Sequence, residues 1–183
     1  MKLFPRRIVL PATAAALLAA AVSLPAQSNH RIAEQRHFSA EDATVGKPVP
    51  IPSAVMAILS QDELVRGSLD DEGNPRSGPP SADSFLASEV HLGESAEKDL
   101  VVIAGPPLAG SNVTTFWLFR MREGRPLSVL RTGGHDLIIE KSRSHGLAIV
   151  KTDAMTCCTL TELTFHFDGT RYGLARRKAT SIR

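Results

Sequence analysis

From residue 85 to residue 175 the chain alternates short apolar runs with turn residues. The pattern predicts strands at 85–92, 99–104, 113–122, 127–132, 136–141, 146–151, 159–167 and 170–175. The breaks carry turn chemistry: Gly105-Pro106-Pro107, Glu123-Gly124-Arg125-Pro126, Gly133-Gly134 and Asp168-Gly169. Connections this short join antiparallel neighbours, because a parallel return needs about a dozen residues or more. Asp168-Gly169, between Phe167 and Tyr172, reads as a two-residue hairpin with a primed turn. Leu163, Phe165 and Phe167 alternate with Glu162, Thr164 and His166, which suits a sheet with one buried face. The runs 99–104 (DLVVIA) and 115–119 (TFWLF) are apolar on both faces and predict central strands covered on each side.

Upstream the period changes. Val55, Ile58, Leu59 and Val65 share one face at helical spacing, which predicts a single helix over 53–66, with Pro52 and Ser53 at its start and Gly67 at its stop. Residues 27–52 are polar and broken by Gly46, Pro48, Pro50 and Pro52, so they read as an extended, flexible lead-in. Residues 67–84 are rich in Gly, Pro, Ser and Asp and predict a surface loop. The expected architecture is α+β: one N-terminal helix packed on a curved, mostly antiparallel β-sheet, forming a single domain over 53–178 with a tail at 179–183. An all-β sandwich or partial barrel with a helical plug is the alternative.

Residues 1–26 follow another logic. Lys2, Arg6 and Arg7 precede an apolar run from Ile8 to Val22, and small residues follow. That order predicts a signal peptide cleaved near Ala26, and hence a secreted or periplasmic protein. The run is too short and alanine-rich for a membrane span, so no integral segment is expected in the mature chain. A general secretory route fits better than a twin-arginine route, because Pro5-Arg6-Arg7-Ile8-Val9-Leu10 matches the latter only in part. Removal of this leader takes the formal charge from +2 to −1. The mature chain then lacks the basic excess of a nucleic-acid binder, and Arg171, Arg176, Arg177, Lys178 and Arg183 read as a solvated tail.

Candidate chemistry is sparse. Cys157-Cys158 invites a disulfide in an exported protein, yet neighbours in a regular strand point to opposite faces. Two unpaired structural thiols, a bridge across a distorted turn that is easily reduced, or one buried thiol with the other paired to another molecule are the readings. Asp70, Asp71, Glu72 and Asn74 gather oxygen ligands but lack the spacing of a calcium loop, and no zinc spacing is present, so no metal and no cofactor are expected. A hydrolase or thiol enzyme would need His135, Asp136 or His145 to meet Ser142, Ser144 or a cysteine; neither a nucleophile elbow nor a zinc-protease helix motif occurs. Phe116, Trp117 and Phe119 form the one aromatic cluster in a chain that is only 5% aromatic. It is either core packing or an exposed platform for a partner or sugar ring.

The strings Phe85-Leu-Ala-Ser-Glu-Val-His-Leu92, Asp99-Leu-Val-Val102, Leu108-Ala-Gly-Ser-Asn112 and Phe116-Trp117, with a closing Phe167-Asp168-Gly169 and Tyr172, resemble a group of secreted bacterial proteins found notably among acidobacteria. The resemblance covers most of residues 50–175 and takes in the helix from Ile51 to Glu63. It implies an exported domain without established activity, and it assigns no catalytic residue. The expected function is therefore non-catalytic binding of a protein, peptide or glycan outside the cytoplasm. A small secreted hydrolase or thiol-dependent enzyme is the alternative, and a structural envelope protein the next.

Overall fold

The structure is a computed structural model that describes residues 34–41, 45–68, 80–106, 108–110 and 112–182. The leader at 1–26, the acidic loop around Gly73 and part of the lead-in lie outside the described residues. The elements run β1 (His37–Ser39), α1 (Ser53–Leu59), α2 (Glu63–Arg66), a 3-10 turn (Ala82–Ser84), β2 (Phe85–Val90), β3 (Asp99–Ala104), β4 (Thr114–Arg122), β5 (Arg125–Gly134), β6 (Asp136–Ser144), β7 (Leu147–Met155), β8 (Thr159–Phe167) and β9 (Tyr172–Ser181).

The strands form two antiparallel sheets, β1-β6-β7-β8-β9 and β2-β3-β4-β5. The predicted α+β arrangement on one curved sheet is overturned: the fold is essentially all-β, closer to the sandwich alternative. Two physical causes stand out. First, the predicted helix does not run through. Ser60 turns its hydroxyl back onto the Met56 carbonyl (2.8 Å), and Asp62 caps a new four-residue helix by accepting from the Leu64 amide (2.9 Å). Second, the chain breaks between β5 and β6. A Cβ on Gly134 would lie 2.8 Å from the Asp153 carbonyl, so only glycine lets the backbone pass from one sheet to the other at this corner.

The five-stranded sheet and one face of the four-stranded sheet enclose a core that includes Phe38, Val101, Ile103, Phe116, Leu118, Leu137, Val150 and Phe165. The opposite face of the four-stranded sheet carries Phe85, Leu100, Val102, Trp117 and Phe119, covered by Val55, Leu59 and Val65 of the helices. This double cover explains why β3 and β4 are apolar on both faces, as the runs at 99–104 and 115–119 predict. Within the lead-in, Phe38 is buried, β1 pairs with β6, and Pro48 bridges to Ser88.

Turn chemistry sets the hairpins. Glu123-Gly124 and His145-Gly146 both take positive φ at both positions, as a primed two-residue turn demands. The loop after β8 differs from the two-residue turn predicted there. Phe167 pairs with Tyr172 across a four-residue loop, in which the Asp168 carboxylate accepts from the amides of Thr170 (2.8 Å) and Arg171 (2.9 Å). A buried ion pair lies within the four-stranded sheet: Asp99 accepts from the amides of Leu92 and Met121 and lies 3.6 Å from Arg120 Nε. No helix among the described residues is long and apolar enough to cross a membrane.

Candidate functional site

The aromatic cluster is not a surface. Phe116 points into the inter-sheet core, and Trp117 and Phe119 lie beneath the helices; all three are buried. The platform reading is corrected for a simple reason: β4 belongs to the one sheet that is covered on both faces. Trp117 is only 2% exposed, stacks edge-on to Phe85 (5.8 Å, 74°) and donates its indole N–H to Asp62 Oδ2 at 3.0 Å.

The outer face of the five-stranded sheet is polar. Strand register lays its side chains in rows. Ser39, Asp136, Asp153, Glu162 and Lys178 form one row; His37, Ile138, Lys151, Thr164 and Arg176 form the next. Glu162 and Lys178 form an ion pair within the first row at 3.1 Å, and Lys151 of the second row pairs with Glu140, further along β6, at 2.6 Å. A shallow hollow opens among Ile138, Lys151, Asp153, Glu162, Thr164 and Arg176. The sheet ends at β9, ten residues long, in which Tyr172 alone is buried. Among the described residues no strand pairs with its outer side, and Arg176, Arg177 and Lys178 stand along it.

At the other end of the face, three side chains meet at the β5–β6 corner. One ring nitrogen of His135 and one oxygen each of Asp136 and Asp153 lie within 4.8 Å of one another. His37 Nε2 approaches Asp136 Oδ1 to 3.3 Å, and Glu41 stands 3.4 Å behind His135 Nε2. Contact with Glu41 raises the His135 pKa above its ordinary value; burial opposes this, and Asp136 reinforces it. Burial pushes the Asp136 carboxyl up, but contacts from Ser39 and His37 outweigh it and hold the group below the usual carboxylate value. One imidazole and two carboxylates are donors that suit a divalent cation of the zinc type. Sequence spacing does not display this group, because Asp153 joins it only through the β6–β7 register.

The catalytic set considered from sequence is brought together only in part. His135 and Asp136 touch, whereas His145 occupies the β6–β7 turn at the far end of β6, with Ser144 Oγ 3.1 Å from its Nδ1. His91 faces Glu34, and the exposed His166 lies apart on β8. The cysteines sit at neither place. They are the two central residues of the β7–β8 turn, both exposed.

None of the family models, curated proteins or solved structures compared with the chain matches it.

Proposed function

We propose that the protein is an exported, non-catalytic binding module that captures an extended segment of a partner protein by strand addition along β9. The observation that carries this reading is the ten-residue edge strand β9, with no described strand on its outer side and exposed at all but its first residue. An unpaired edge offers a row of main-chain donors and acceptors, which is how extended peptides are held. Arg176, Arg177 and Lys178, with Arg171 in the preceding loop, favour an acidic segment by charge complementarity and faster encounter. A glycan is a weaker fit. The exposed large apolar residues among those described are Ile58, Val113, Leu127, Ile138, Met155, Leu174 and Ile182, none of them aromatic, so the described surface offers a sugar no aromatic ring to stack on. The leader-like first 26 residues and the likeness to exported bacterial proteins support the extracytoplasmic setting.

The test is hydrogen exchange on the mature domain with partners captured from an extracytoplasmic extract. Binding should slow exchange along residues 172–181, and the double substitution Arg176→Glu with Arg177→Glu should weaken capture at least tenfold. Protection confined to the four-stranded sheet, with capture unchanged in the charge-reversed variant, would sink the reading.

A second reading, a small metal-dependent hydrolase, draws on the meeting of His135, Asp136 and Asp153. It requires stoichiometric zinc uptake that Asp153→Asn abolishes.

A further inference from the structure

The β7–β8 turn has an unusual apex. Thr156 and Thr159 close it, the Thr156 amide donating to the Thr159 carbonyl at 2.9 Å, so Cys157 and Cys158 occupy the two corner positions. In a regular strand two adjacent side chains diverge; at a turn apex they can lie side by side. Here the two Sγ atoms are 3.0 Å apart and both side chains are exposed. A disulfide bond is about 2.05 Å long, so roughly 1 Å of approach separates this pair from a covalent bridge. The turn is also anchored on one side, since Ile182 N donates to the Cys158 carbonyl at 2.9 Å. Cysteines this exposed contribute little as packing, and nothing among the described residues covers them.

We propose that Cys157 and Cys158 form a redox-active dithiol that closes reversibly into an intraturn disulfide by exchange with an external low-molecular-weight disulfide. The Cys157 thiolate attacks one sulfur of the external disulfide, forming a mixed disulfide and expelling one thiolate. The Cys158 thiolate then attacks Cys157 Sγ, closing the small ring through the intervening peptide bond and expelling the second thiolate. The chain loses two electrons and two protons; the external disulfide gains both and leaves as two thiols. The contact between the two sulfurs is symmetric, and the same two steps with the cysteines exchanged give the same bridge. Ring closure strains the turn, which makes the bridge easy to reduce again. The exposed apex supplies the access that exchange requires.

The experiment uses the purified chain, first reduced and then incubated with glutathione disulfide, followed by intact-mass measurement under denaturing acid. The wild type should lose two hydrogens per chain, retain no glutathione, stay monomeric on a non-reducing gel, and return to the dithiol with excess reduced glutathione. Cys157→Ser and Cys158→Ser should each retain one glutathione, because the resolving thiol is gone. Phenylarsine oxide, which bridges neighbouring thiols, should protect the wild type from alkylation and leave the single-cysteine variants unprotected. Two retained glutathiones on the wild type, or disulfide-linked dimers in place of the loss of two hydrogens, would overturn the proposal.

Discussion

Trp117 offers the sharpest test of where this protein keeps its aromatic surface, because it is the sole tryptophan and is buried with its N–H engaged. A buried tryptophan removes about 150–250 Å² from water, and at about 25 cal/mol per Å² that corresponds to about 4–6 kcal/mol. That figure is an upper bound, since a realistic unfolded chain already hides part of the area. Truncation of buried aromatics costs about 3–5 kcal/mol in practice, so Trp117→Ala should lower the unfolding free energy by about 4 kcal/mol. Against a typical total of about 5–15 kcal/mol, that leaves a marginal fold. Trp117→Phe separates packing from hydrogen bonding. It keeps most of the apolar contact but removes the donor to Asp62, which retains the Leu64 amide and Arg131 at 3.2 Å. The expected cost is about 2 kcal/mol, within the range for a hydrogen bond to a charged group. The assay is urea unfolding followed by far-ultraviolet circular dichroism, with Asp62→Ala completing a double-mutant cycle. The coupling should be about 1 kcal/mol, and the wild-type emission should be blue-shifted and resistant to aqueous quenchers. If Trp117→Ala costs less than about 1 kcal/mol while partner capture disappears, the indole is a contact residue and the packing argument collapses.

Three further outcomes follow from the same structure. Asp99→Ala leaves Arg120 buried without a counter-charge and frees the Leu92 and Met121 amides, so it should cost about 3–5 kcal/mol by thermal or urea unfolding. The sole tyrosine, Tyr172, donates to the Ala148 carbonyl at 2.7 Å, and its pKa is raised by burial and by the nearby Asp99 charge, against Arg120. Its stabilising contribution is therefore complete below the unfolded-state value of about 10 and is lost as pH rises beyond it, so phenolate absorbance should appear only together with unfolding. Asp136 and Asp153 stand directly opposite each other across β6 and β7. Asp153→Asn keeps an acceptor for the Asp136 amide and removes a like charge, and should raise stability by about 0.5 kcal/mol in chelator. In excess zinc the order should reverse if the corner holds the ion.

How much of this was legible in the sequence depended on whether a feature was local or relied on register. The eight strands from β2 to β9 were visible because alternation and turn residues are properties of a few neighbouring positions. The separation into two sheets was not, because it rests on one close approach, at Gly134, between segments that the sequence does not place side by side. The helix failed as a single element at Ser60, where a hydroxyl competing for a carbonyl is as local as any pattern but weaker than the apolar periodicity around it. The two apolar faces of 115–119 pointed to a covered strand, which the helices and the second sheet supply, and the platform reading of Phe116, Trp117 and Phe119 fails for that reason.

Register is where the site itself escaped. Counting back from the His145-Gly146 turn pairs Ser144 with Leu147 and Arg143 with Ala148, and the same count carried onward sets Asp136 against Met155. The bulge between Ile139 and Arg143 moves the pairing by two positions, which keeps every side chain on its face but brings Asp153 opposite Asp136. On β9 the irregularity between Thr164 and Phe165 moves the pairing by one, so Leu174 follows Phe165 while Arg176 follows Thr164 to the outer face. A shift of two changes the neighbours and a shift of one changes the face. Both surfaces on which function is placed here, the carboxylate corner and the cationic edge, therefore owe their composition to bulges. The vicinal cysteines show the converse. Their adjacency is plain in the sequence, and only the turn beneath them decides whether adjacent residues can become bonded ones.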